Sequence, residues 1–285
     1  MKPWPNRNGG IFRTPTKPTI TPAQRWRKTG RVCTPAIANP FPSPANLKKL
    51  IAASPKLAPE GSLEDTAKTV QDAWRAYHKG DFASAVELGM AAGLLGYNAA
   101  SKAANIYATY LEKDEKKQID IFLESMKRGE KLQAAAPGMA NAHYFYAQAA
   151  GRYSQGISIA KALAEGYAGK IKKALDTALK LEPKHADAHI ALGAYHAEII
   201  NKVGGLVGGL TYGADKKAGA NHYQSALKLN PDSAIARIEC ANGLVMMFGK
   251  EKLKEATKLY EEAAACKPFD AMERLDVEAA KEELA

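Results

Sequence analysis

Three histidines fall close together in this sequence. His185, His189 and His196 are spaced i, i+4 and i+11, and Asp187 lies between the first two. On a helix, histidines four residues apart share a face and can hold one divalent metal ion. Imidazoles at that spacing also serve as packing contacts between helices. A second candidate is the glycine-rich stretch 203–213, VGGLVGGLTYG. A phosphate-binding loop needs GxxxxGK[ST] behind a strand, and this stretch has neither. Its apolar members Val203, Leu206, Val207, Leu210 and Tyr212 predict a mobile apolar loop instead. Such a loop folds over a groove, covers a core edge or forms a subunit contact.

The remaining chemistry is sparse. Cys33, Cys240 and Cys266 are odd in number and far apart, so neither a disulfide framework nor a CxxC metal site is expected. No Ser/His/Asp or Cys/His constellation can be assembled. Most acids stand beside lysines, as between Lys250 and Glu262, which is the pattern of a solvated helix face. The expectation is a protein with no catalytic residue, no bound metal and no cofactor.

The charge is localised. The chain has 285 residues and a net charge of +10, and residues 1–60 hold eleven Lys/Arg against the single acid Glu60. The whole excess is therefore in this segment, and the rest of the chain is neutral. A basic groove for nucleic acid is not expected in the body. Eleven of the fifteen prolines also lie in residues 1–60. Proline-rich, basic and poorly periodic sequence buries too little apolar surface to offset ordering entropy. Residues 1–61 are accordingly expected to be a disordered basic extension, either a solvated tail or a contact for an acidic surface such as anionic lipid or an acidic protein. No run of about 20 apolar residues predicts a transmembrane segment. Prolines interrupt any h-region of a signal peptide and any amphipathic presequence helix. A cytoplasmic location is expected, with a periplasmic one open if the start site lies elsewhere.

The elements that must position any site are helices. Hydrophobic residues make up 46% and aromatics 8%, and alanine, which is abundant, loses no side-chain entropy in a helix. Order is expected from Ser62, where Ser62-Leu63-Glu64-Asp65 has the form of a capping box. From there helical periodicity runs to the end through a recurring punctuation. Ala178-Leu179-Lys180-Leu181-Glu182-Pro183, Ala226-Leu227-Lys228-Leu229-Asn230-Pro231 and Ala263-Ala264-Ala265-Cys266-Lys267-Pro268 close alike, and a weaker unit closes at Pro137. New helices open at Ala140-Asn141-Ala142-His143, Ala186-Asp187-Ala188-His189 and Ala234-Ile235-Ala236-Arg237. An earlier degenerate unit occupies about 66–96, turning at Ala76–Phe82. The prolines are 46, 48 and 37 residues apart. Two units thus carry long insertions, one including Gly151–Ile157 and the other Val203–Gly213.

These units resemble the tetratricopeptide repeat (TPR), a helix–turn–helix of about 34 residues. The matching residues are Leu192-Gly193, Tyr146-Ala147 and Cys240-Ala241, then Ala256, Tyr260 and Ala263 before Pro268. The resemblance implies an all-α fold. It would be a TPR-like stack of antiparallel helical hairpins, a right-handed α-solenoid of about 4–5 repeats, over residues 62–285. His143 and His189 then share one repeat position, which favours packing over metal binding. The part from about residue 137 onward is similar to the regulator of microtubule dynamics protein family. Ala142-His143, Tyr146-Ala147, Gly151, Ser154, Gly156-Ile157, Gly166, Lys170, Ala188-His189 and Leu192-Gly193 carry that likeness. It is also similar to the repeat subunit of tripartite periplasmic transporters.

The TPR resemblance places a groove on the concave side, lined by the first helices of the units. Its inward positions are Asn141, Tyr144 and Gln148, then Asp187, Ile190 and Ala194, then Ile235, Ile238 and Asn242. The lining is mixed and partly apolar, which suits an amphipathic protein or peptide partner. The leading expectation is a non-enzymatic protein- or peptide-binding scaffold. The alternatives are a small apolar ligand-binding accessory of a transport system and a cytoskeleton-associated adaptor. Leu206, Leu210 and Tyr212 are the insertion-loop candidates, and a homo-oligomer through them is left open.

Overall fold

A computed structural model describes residues 35–285. After a short 3-10 turn, Pro35–Ile37, helix α1 spans Pro44–Ala53, and a second 3-10 turn covers Pro55–Leu57. Five antiparallel helical hairpins follow. They are α2 (Leu63–Lys79) with α3 (Phe82–Ala91), and α4 (Tyr97–Tyr110) with α5 (Glu115–Ala135). Next come α6 (Ala140–Gly156) with α8 (Tyr167–Leu181), and α9 (Ala186–Val203) with α11 (Lys216–Leu229). The last is α12 (Ala234–Phe248) with α13 (Leu253–Ala264). Two short helices interrupt the third and fourth hairpins, α7 (Ile159–Ala164) and α10 (Gly205–Tyr212), and α14 (Ala271–Leu284) ends the chain. The architecture is the expected all-α, TPR-like solenoid.

Local chemistry explains the boundaries. Ser62 Oγ accepts the Asp65 N–H at 3.2 Å, with Glu64 and Asp65 in the first turn of α2 and His78 and Lys79 in its last. Both charge placements complement the helix dipole. Gly80 then stops the helix at φ 87°, a left-handed conformation that suits glycine. At the repeat junctions one device recurs. His143 Nε2–H donates to the Pro137 carbonyl at 2.9 Å, and His189 Nε2–H donates to the Pro183 carbonyl at 3.1 Å. In each case the imidazole ties a new helix to the proline turn before it. This is the physical reason that histidine recurs at that repeat position.

Small residues set the helix spacing. Tyr223 of α11 is fully buried between Gly193 of α9 and Gly243 of α12. A Cβ on Gly193 would stand 2.7 Å from the Tyr223 ring, so this aromatic fits only because a glycine faces it.

Order among the described residues begins earlier than Ser62. Residues 35–57, assigned above to a disordered segment, hold helix α1 and two 3-10 turns and are packed, with Ile37, Leu47 and Leu57 all buried. Residues 1–34 of that segment lie outside the described residues. The prolines misled because they stand where helices tolerate them. Pro44 opens α1 behind the capping hydroxyl of Ser43, and Pro55 opens the second 3-10 turn. The three apolar side chains find their burial against the repeats, which composition alone does not register.

Both insertions also differ from expectation. Gly151–Gly156 is not an inter-helix segment, because α6 continues through it, and the interruption comes later, at α7. The glycine-rich stretch is a helix rather than a loop. Gly208 faces inward against Ile199 and Ala214, and Tyr195 Oη donates to the Tyr212 carbonyl at 2.9 Å. No helix among the described residues is long and apolar enough to cross a membrane.

Candidate binding groove

The first helices of the hairpins carry the inward-facing residues, and α14 crosses in front of them. It packs on α12 and α13 and reaches back to α2. His78 Nδ1, near the end of α2, lies 2.5 Å from Asp270 Oδ2 at the start of α14. Tyr110 Oη of α4 donates to Asp276 Oδ1. Ile37 of the N-terminal turn covers the starts of α6 and α9, and its carbonyl accepts from Asn141 Nδ2 at 3.1 Å. The two ends of the described chain therefore fill the N-terminal half of the concave face.

Beneath them is a buried polar network. Lys102 of α4, 1% exposed, places Nζ 3.3 Å from Asp187 Oδ2 and about equally near the rings of Tyr77 and Phe145, at 5.9 and 6.0 Å. Tyr144 Oη donates to the same Asp187 oxygen at 3.4 Å. His185 is neutral by geometry. Its Nδ1 accepts the Ala188 N–H at 3.1 Å, so the ring proton is on Nε2, which donates to Asn141 Oδ1 at 3.0 Å. Burial pushes its pKa down to about 4, with Asp187 opposing. On α14, burial, reinforced by Asp270, raises Glu273 to about 7. Burial raises Asp276 to about 8, and its Oδ2 has no hydrogen-bond partner among the described residues. For Asp270 burial is outweighed by the His78 hydrogen bond and charge, and its carboxyl sits below the ordinary range.

Past this network the groove opens into a cavity of about 190 Å³. Of the predicted groove residues, Tyr144, Gln148, Asp187, Ile190, Ala194 and Ile235 line it together. They come from α6, α9 and α12. Three others do not. Asn141 is held under Ile37, Ile238 is buried in a separate cluster with Ala263 and Val277, and Asn242 accepts the Tyr260 hydroxyl at 2.8 Å. Each is spent on packing within the array.

Sequence reasoning missed the other walls. Ile106 and Tyr110 come from α4, Ile159 and Leu163 from α7, Tyr167, Ile171 and Leu175 from α8, and Met272 from α14. The isoleucine–leucine spacing in α7 was the one available signal, since a polar insertion has no need of it. The cavity's charged residues come in opposite pairs. Arg152 Nη2 is 3.2 Å from Glu239 Oε1, Lys202 Nζ is 3.2 Å from Glu198 Oε2, and Asp187 has Lys102. The walls are apolar and their charges internally balanced.

The insertion candidates lie elsewhere. Leu206 and Leu210 are 78% and 83% exposed and line no part of the cavity, while Tyr212 borders a shallow depression with Lys172, Lys173 and Lys180. The histidines form a seam between α9 and α11. His189 uses Nε2–H on Pro183, so its bare Nδ1 accepts from His222 Nδ1–H at 2.9 Å. His196 stacks on His222 with ring centroids 5.9 Å apart, and its Nδ1 accepts the Asp215 N–H at 3.1 Å. Among the described residues no group of three or more His, Cys, Asp or Glu is arranged to hold a metal ion.

The model of the family described as Regulator of microtubule dynamics protein 1-3 matches residues 96–202, from the start of α4 nearly to the end of α9. A search of curated proteins finds no match. Among solved structures, a thermophilic TPR protein of Thermus thermophilus is similar at 16% identity and a TM-score of 0.54, over 77% of this chain and all of that one. The MamA protein aligns at 17% identity and a TM-score of 0.40, over 78% of this chain and 97% of that one. The chain is by fold a divergent tetratricopeptide-like repeat protein, with a region similar to the regulators of microtubule dynamics within it.

Proposed function

We propose that the protein is a non-enzymatic binding module whose concave cavity receives apolar side chains of a protein or peptide partner. One observation carries this reading. Inward residues of three successive repeats converge on a single apolar cavity whose charges are already paired with each other. A charged ligand would have to break one of those pairs, whereas apolar groups replace only water. The TPR-like fold supports it, since helical-repeat arrays present such faces to partners. A microtubule-associated partner is the natural first test, given the name of the family matched by residues 96–202.

The test is Ala194→Trp, which fills the cavity from its wall and leaves the buried network intact. Partner capture, including co-sedimentation with microtubules, is expected to fall about tenfold or more while the melting temperature changes little. Unchanged capture by a folded variant would refute the cavity as the binding site.

The enclosure favours one second reading. With α14 and the N-terminal turn across half the face, what remains is a compact chamber rather than a long open channel. A small apolar ligand fits such a chamber. Native mass spectrometry of the purified protein decides between the two. A co-purified small molecule, lost in Ala194→Trp, supports the ligand, and a bare chain mass supports the partner.

A further inference from the structure

Helix α10 has two unlike faces. Gly208 lies inward against Ile199 and Ala214. Leu206 and Leu210, four residues apart, share the opposite face and are 78% and 83% exposed, with Val207 beside them about half exposed. The helix itself carries no charged residue. Its surroundings are basic. Lys202 precedes it, Lys216 and Lys217 follow it, and Lys172, Lys173 and Lys180 of α8 border the depression that Thr211 and Tyr212 share. Three carboxylates face these six lysines from the elements packed there. Asp176 is bound to Lys172 at 2.7 Å, Glu198 to Lys202, and Asp215 caps α11 through the Ala218 N–H. Of the six lysines, Lys172 and Lys202 are the two ion-paired among the described residues, and Lys216 lies over the Phe248 ring at 5.3 Å.

We propose that α10 and its lysine rim form a docking surface for an anionic lipid bilayer, with Leu206 and Leu210 entering the acyl boundary. An apolar prong alone or a basic patch alone gives marginal membrane binding, and the two together give a stable attachment. A second copy of the chain fits less well. Three apolar side chains on a two-turn helix offer far less than the roughly 1,200 Å² a specific interface needs, and like lysine rims would repel. Leu206, Leu210, Lys173, Lys180 and Lys217 lie outside the cavity, and of the rim Lys202 alone also borders it, so this inference is independent of the function proposed above.

The experiment is co-sedimentation of the full chain with vesicles of phosphatidylserine and phosphatidylcholine, and with phosphatidylcholine alone. The parent chain is expected to bind the mixed vesicles and to lose most of that binding on phosphatidylcholine alone. Leu206→Ser with Leu210→Ser should weaken binding to the mixed vesicles roughly tenfold or more, with an unchanged melting curve. Lys173→Gln with Lys180→Gln should weaken it several-fold. The basic residues 1–34 are intact in every variant, so equal binding by the parent and the double serine variant would assign attachment to that segment and overturn the proposal. No binding by the parent would overturn it too. So would a dimer in the parent that becomes a monomer in the serine variant, since α10 would then be a subunit contact.

Discussion

The two halves of the concave face treat their inward residues in opposite ways. Under α14 and the N-terminal turn, the inward residues are polar and consumed by the chain itself: Lys102, His78, Tyr110 and Asn141 each hold a group from the array or from one of the covering segments. From Tyr144 and Ile190 to Ile235 they are mainly apolar and line the cavity. The same repeat positions thus serve as a buried polar seam in one half and as the wall of a cavity in the other. A groove residue in such an array acquires its role from what lies across from it.

The sharpest way to break this contrast is Lys102→Ala. It leaves Asp187 buried without its cation and removes a nearby positive charge that favours the carboxylates of α14. A loss of about 3–5 kcal/mol is expected in urea unfolding. Replacing Lys102 by Met and Asp187 by Leu together should cost much less, because no unpaired charge remains. If the double replacement costs as much as Lys102→Ala, the pair is not the seam's organising element.

The α14 seam should also weaken as pH rises. Glu273 and Asp276 ordinarily titrate at 4.5 and 3.8, and folding raises them to about 7 and about 8. The folded chain keeps protons that the unfolded chain releases, so these two acids make stability fall from about pH 4 to about pH 8. Between pH 6.5 and 8 the melting temperature should therefore decline, and Glu273→Gln with Asp276→Asn should flatten that decline. The Asn keeps an acceptor for the Tyr110 hydroxyl. A slope that survives both substitutions would place its origin elsewhere.

The α9–α11 seam responds in the other direction, and more weakly because its rings are partly exposed. Burial, helped by His189 and His196, lowers His222 from 6.5 to about 4, and burial also lowers His189 and His196. Protonating His189 would set two N–H groups face to face across its contact with His222. Stability contributed by these neutral rings is complete above pH 6.5 and lost as pH falls toward 4. His222→Phe should shallow the acid limb of a melting-temperature profile and leave the decline above pH 6.5 alone.

The helices and hairpins were legible in the sequence because their signals are local. Ser62 caps α2, the proline turns end α5, α8 and α11, and His143 and His189 repeat for a reason contained within one turn of chain. The groove was legible in part, since the repeat resemblance implies which positions face inward, and Tyr144, Gln148, Asp187, Ile190 and Ile235 meet on one cavity. The misses share one cause. Composition made residues 35–57 look unable to bury anything, yet Ile37, Leu47 and Leu57 find their partners across the fold. Glycines made α10 look like a loop, yet Gly208 is what lets that helix lie close against Ile199.

By itself, then, the sequence determined the all-α repeat, its registers and the neutrality of its body, because capping, periodicity and charge act between near neighbours in the chain. Only the tertiary structure decided which half of the concave face is filled by α14 and which is left as a cavity. It also decided that Asn141 is a strut rather than a contact and that Leu206 and Leu210 face outward. The filling of the concave face and the role of Asn141 depend on contacts between residues more than a hundred positions apart, such as Ile37 with Asn141 or His78 with Asp270, and the facing of Leu206 and Leu210 depends on how Gly208 packs against Ile199 and Ala214. No local pattern of residue types encodes them.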